Sequence, residues 1–68
     1  MLDRQYGGGI QAGVTLYLMG KIRLQEQRYA DALQHVQEAV TIFKETGSRH
    51  LPEAEATLKQ IQERIEHR

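Results

Sequence analysis

The sequence has no cysteine and no tryptophan, and it contains one proline and one phenylalanine. Without cysteine there is no disulfide and no thiolate metal site or nucleophile. Small domains often compensate for a small core with just such cross-links. A chain of 68 residues buries only about 60% of the surface it exposes when unfolded. Its core rarely contributes more than roughly 3–5 kcal/mol net. Helix packing, self-association or contact with neighbouring chain must therefore carry the stability. Charge of one sign is also missing: nine basic residues balance nine acidic ones. Acids are interleaved with bases, as in Arg28–Asp31 and Glu63–Arg64, so no basic patch is expected to neutralise phosphates and no nucleic acid is expected as partner. Long apolar runs are absent as well. The most apolar stretch, Val14 to Met19, is far shorter than the roughly 20 residues a membrane helix needs, so no membrane partner is expected. Asp3 precedes that stretch and no cleavage-site pattern follows, which argues against a signal peptide. Together with the lack of cysteine, this points to a cytoplasmic chain.

What is present is helical periodicity. Gly7-Gly8-Gly9 is a poor helix former, so residues 1–9 read as a flexible tail or linker, and 10–68 as one domain. The triple glycine is not a phosphate loop, because neither a strand before it nor a Lys-Ser or Lys-Thr after it is present. From Ile10 to Gln25 the apolar residues recur at helical spacing: Ile10, Val14, Tyr17 and Leu18 on one side, Leu16, Met19 and Ile22 continuing around it. The stripe is broad enough for two faces to find partners. Gly13 and Gly20 each cost about 1 kcal/mol against alanine inside a helix, which predicts close helix approach. Leu24 to Arg28 reads as a turn. Tyr29, Ala32, Leu33, Val36, Ala39, Val40 and Phe43 then predict a helix over 29–46, closed by Gly47 as C-cap. Ser48–Leu51 reads as a loop. Pro52 suits the first turn of a third helix, where Leu51, Ala54, Leu58, Ile61 and Ile65 form one narrow seam. The expected fold class is therefore all-α: an antiparallel helix–turn–helix pair plus a third helix.

The segment from Gly13 to Thr46 resembles one tetratricopeptide repeat (TPR), a helix pair of about 34 residues. Leu16 stands at the family's large position, Met19-Gly20 at Leu-Gly, Tyr29 at the turn tyrosine, and Ala32 and Ala39 at the small positions. Val36 stands at an aromatic position, and Leu33, Val40 and Ile42 at aliphatic ones. Arg23 replaces a tyrosine, Gln27 stands where glycine often closes the turn, and Lys44 replaces the final proline. The run Ile42–Arg49 followed by Glu55-Ala56-Thr57-Leu58 is similar to the longer-period variety. The third helix would then open a second repeat, with Gln62 at the glycine position, as suits a capping helix. The resemblance implies a TPR-like α-solenoid unit that acts as a scaffold or adaptor. Carried over by position, the partner-binding groove would comprise Val14, Tyr17, Leu18, Lys21, Leu24 and Gln25.

No chemistry-bearing constellation competes with this reading. His35, His50 and His67 lack the spacing of a metal motif. Ser48, the only serine, lacks a nucleophile elbow. Glu53 and Glu55 lie two apart and do not face each other on a helix. No enzyme activity, metal or cofactor is expected. The partner is expected to be a protein or peptide helix lying on the apolar face of the first helix. Self-association as a homo-oligomer, or capping of a longer solenoid, is the alternative, and a third outcome is that the face is covered by the chain's own third helix.

Overall fold

A computed structural model describes residues Gly9–His67. The tail read over 1–9 lies outside the described residues except for Gly9, as does Arg68 at the end of the domain. The described residues form three α-helices, α1 (Ile10–Gln25), α2 (Tyr29–Thr46) and α3 (Leu51–Glu66), with no strand among them. The all-α architecture follows from the periodicity, and α1 and α2 have the bounds that the apolar spacing predicts; of the turn read over Leu24–Arg28, Leu24 and Gln25 belong to α1, because Leu24 still packs on the core as the last apolar residue of the helix. α2 is the central element. It packs on α1 along one side and on α3 along another.

Both turns are built alike. At the end of α2, Ser48 N–H donates to the Phe43 carbonyl at 2.9 Å and Gly47 N–H to the Lys44 carbonyl at 3.3 Å. Gly47 sits at φ 66°, the left-handed residue of a Schellman motif. At the end of α1, Arg28 N–H donates to the Arg23 carbonyl at 2.9 Å and Gln27 N–H to the Leu24 carbonyl at 3.0 Å. Here the left-handed residue is Gln27, at φ 64°, which occupies glycine's place at a conformational cost. The loop expected over Ser48–Leu51 is one residue shorter, since Leu51 already begins α3. Ser48 makes this tight turn: its Oγ accepts the His50 N–H at 3.1 Å, a local bond typical of serine in turns.

The core is made of Ala32, Val36, Ala39, Val40 and Phe43 from α2 and Ala54 and Ile61 from α3. α1 contributes in a different way. Its fully buried residues, among those whose burial is described, are Gly13 and Gly20. A Cβ on Gly20 would collide with Val36 Cγ2 and lie 3.3 Å from the Ala32 carbonyl oxygen. A Cβ on Gly13 would stand 2.6 Å from Cε1 of the Phe43 ring and 3.1 Å from Ile42 Cγ2. Early α1 thus meets late α2 and late α1 meets earlier α2, so the two helices run antiparallel. They touch along a glycine seam that lets backbone approach side chain.

Three outcomes follow for stability. Gly20→Leu should lower the thermal midpoint, because overpacking costs about 1–3 kcal/mol and outweighs the ~1 kcal/mol gained in helix propensity. A circular-dichroism melt equal to wild type would show that the seam tolerates a side chain. Gln27→Gly should raise the midpoint by about 2–4 °C, because it relieves left-handed strain while adding some unfolded-state entropy. Gly47→Ala, at a position with open space around its Cβ, should lower it through backbone strain alone.

Candidate functional site

A helix that buries glycines must turn its large side chains elsewhere. On α1, Val14, Leu16, Tyr17 and Leu24 flank the seam and pack half-buried against the core. Leu18, Met19 and Ile22 lie on the far side, 53%, 36% and 50% exposed. The helix is therefore apolar on two faces. The outer sides of its neighbours are different. On α2, Gln34, Gln37, Glu38, Thr41 and Glu45 face solvent, and on α3, Glu55, Lys59, Gln62 and Glu63 do so. Those two helices separate polar from apolar as surface helices normally do. α1 alone carries a cluster of exposed large apolar side chains, joined at the i, i+4 spacing of Leu18 and Ile22 and the i, i+3 spacing of Met19 and Ile22.

The groove expected from residue positions divides in the structure. Leu18, Lys21 and Gln25 are exposed, whereas Val14, Tyr17 and Leu24 pack on the core cluster. Tyr17 has a structural partner: its hydroxyl lies 2.9 Å from Thr57 Oγ1 of α3. Thr57 is itself buried, so this bond satisfies a hydroxyl that would otherwise be stranded. It also ties α1 to α3 directly, although both pack mainly on α2. Lys21 extends its Nζ to 5.5 Å from the Tyr17 ring centroid, a cation–π distance. Met19 and Ile22, which the groove residues did not include, belong with Leu18 instead. The signal for them is in the sequence, since they continue the apolar stripe around the helix. Which side of that stripe stays open depends on where α2 lies.

The charges near this helix gather at its C-terminal turn. Arg23 pairs with Glu26 at 2.7 Å, and Arg28 reaches Glu26 at 3.8 Å and Asp31 at 4.0 Å. These pairs are substantially solvent-exposed and contribute little to stability. Around Leu18 and Ile22 the nearest charge along α1 is Lys21, at the border of the apolar cluster. Elsewhere, His50 packs its ring on Phe43, with centroids 5.5 Å apart, and closes the core at the α2–α3 turn. Among the described residues no three of His, Asp and Glu come together to hold a metal, and no helix is long and apolar enough to cross a membrane.

The Tyr17–Thr57 bond can be measured by a double-mutant cycle. Tyr17→Phe and Thr57→Val should each destabilise the fold by about 1 kcal/mol in urea unfolding, and the double variant by less than the sum. Full additivity would mean that the two hydroxyls do not depend on each other.

Comparison with protein-family models, with curated proteins and with solved structures finds no significant match to this chain.

Proposed function

We propose that this chain is a protein-interaction module of TPR-like design, a scaffold or adaptor element that receives a helix or extended peptide on the outer face of α1. The observation that carries the reading is the exposure of Leu18 and Ile22 side by side on a helix whose neighbours have polar outer surfaces. Water-exposed apolar clusters on small proteins mark interaction sites. Their burial contributes about 25 cal/mol per Å² of apolar surface, so a face of this size provides a useful anchor. Lys21 and Gln25 border it and supply polar groups for orientation. The TPR-like sequence pattern supports the reading, because Gly20, Ala32 and Ala39 occupy its small positions and are fully buried. The role is binding rather than catalysis.

A second reading has its own support. The outer surface of α3 is polar, as in a helix that ends a stack. The chain could then serve as a structural assembly element, joining copies of itself or closing a longer helical array.

The double variant Leu18→Glu with Ile22→Lys separates these readings. The new charges stand in the favourable i, i+4 order, so helicity should be kept. Surface changes of this kind shift monomer stability by about 0.5 kcal/mol or less. Affinity capture with wild type and variant, followed by mass spectrometry, should show proteins retained by wild type alone, while sedimentation shows both as monomers at every concentration. Concentration-dependent growth of wild type, lost in the variant, would favour the assembly reading. Capture of the same proteins by both would remove α1's outer face as the binding site.

A further inference from the structure

Among the described residues, the large apolar side chains open to water are Leu18, Met19 and Ile22, all on α1. Residues 1–8 lie outside the described residues, and their sequence holds three more large apolar side chains, Met1, Leu2 and Tyr6. The point where that segment joins the fold brings the two groups within reach of each other. A Cβ on Gly9 would lie 3.3 Å from Thr46 Cγ2, so the chain enters α1 on the side facing α2, away from Leu18 and Ile22. Gly9 has φ 55° and ψ −63°, close to the classic γ-turn. This bend diverts the preceding chain from the axis of α1.

Reach can be counted. Crossing the end of the helix takes about one helix diameter, 10–12 Å, and the eight residues from Ile10 to Leu18 rise about 12 Å along the axis. The seven residues from Leu2 up to Gly9 span about 23–25 Å when extended. Leu2 therefore arrives at Leu18, and Met1 continues toward Ile22. Gly7 and Gly8 give the crossing a backbone without steric restriction. Size points the same way. Leu18 and Ile22 are 53% and 50% exposed and Met19 36%. Three partly covered side chains fall well short of the ~800 Å² per partner that a stable complex with a second copy needs. A tethered segment needs less, because the tether holds it at an effective concentration in the millimolar range.

We propose that residues 1–8 fold back over the start of α1 and lay Leu2 against Leu18, a tethered cover that a partner must displace to reach this face. As regulation of binding, this rests on the interaction-module reading. As a contact within the chain, it is tested without a partner.

The test exploits the absence of cysteine. Asp3→Cys and Gln5→Cys, each in the full chain, accept one nitroxide label at a single position. Paramagnetic relaxation of the backbone amides then reports where the segment lies. Enhancement should be at least about threefold greater at Leu18, Met19 and Ile22 than at Gln37 and Lys59. Those two are exposed and stand at a similar height, nine residues before the end of α2 and eight after the start of α3. Leu2→Ser in the labelled chain should abolish the preference, and so should Leu18→Glu with Ile22→Lys. Without label, Leu2→Ser should raise the fluorescence of the apolar-surface probe anilinonaphthalene sulfonate about twofold, as expected for a face covered half of the time. Even enhancement from both labels, a preference that survives Leu2→Ser, or unchanged probe fluorescence would each overturn the cover. If the cover fails while capture still depends on Leu18 and Ile22, the interaction module stands without it. A cover that passes while capture ignores Leu18 and Ile22 removes the module and its regulation and leaves the contact.

Discussion

The contact between the glycine side of α1 and the Val36–Phe43 side of α2 is the constraint on which the rest of this small structure depends. Gly13 and Gly20 stand where any side chain would meet Phe43 or Val36, so the two helices come together at backbone distance. Glycine in a helix interior is unfavourable by about 1 kcal/mol, and close packing along the seam offsets that cost through many short dispersion contacts. The seam also fixes the rotation of α1 about its own axis. Once the glycines face α2, Tyr17 must point toward α3, where it meets Thr57. Leu18, Met19 and Ile22 must then point outward. Exposure of the candidate face is thus a consequence of how the core closes.

Economy of material explains the division of labour among the helices. Among the residues whose burial is described, α2 and α3 supply all of the fully buried apolar side chains, and Phe43, Ile61 and Val36 are the largest of them. α1 adds partly buried side chains on either side of its glycines. A chain with no disulfide and so small a core gains from any further burial on α1's outer side. A partner bound on Leu18 and Ile22, as proposed, would stabilise the folded state by mass action.

The two Schellman turns show local sequence and tertiary geometry meeting at single residues. Gly47 fits its left-handed position without strain. Gln27 holds the same conformation although a side chain disfavours it, because the hydrogen bonds from Gln27 and Arg28 back into α1 and the packing of the helix pair set the backbone there. The departure of Gln27 from the TPR pattern therefore changes the energetics of the turn while its geometry is kept.

Periodicity by itself determined the three helices, their bounds within one residue, and the inward faces of α2 and α3, because each of those helices has one apolar stripe and a core can lie on one side only. The close approach at Gly13 and Gly20 was equally legible, since glycine in a helix interior is unfavourable without a packing reason. α1 was ambiguous for a physical reason: its apolar residues run around most of the helix, so hydrophobicity alone cannot say which side α2 takes. Position along the repeat pattern grouped Val14, Tyr17, Leu18, Lys21, Leu24 and Gln25 as one face. Tertiary packing divided that group, drawing Tyr17 to a hydroxyl on α3 forty residues away and leaving Leu18 with Met19 and Ile22. The partner of a hydroxyl and the open side of an evenly apolar helix both depend on long-range geometry, and only the packed structure decides them.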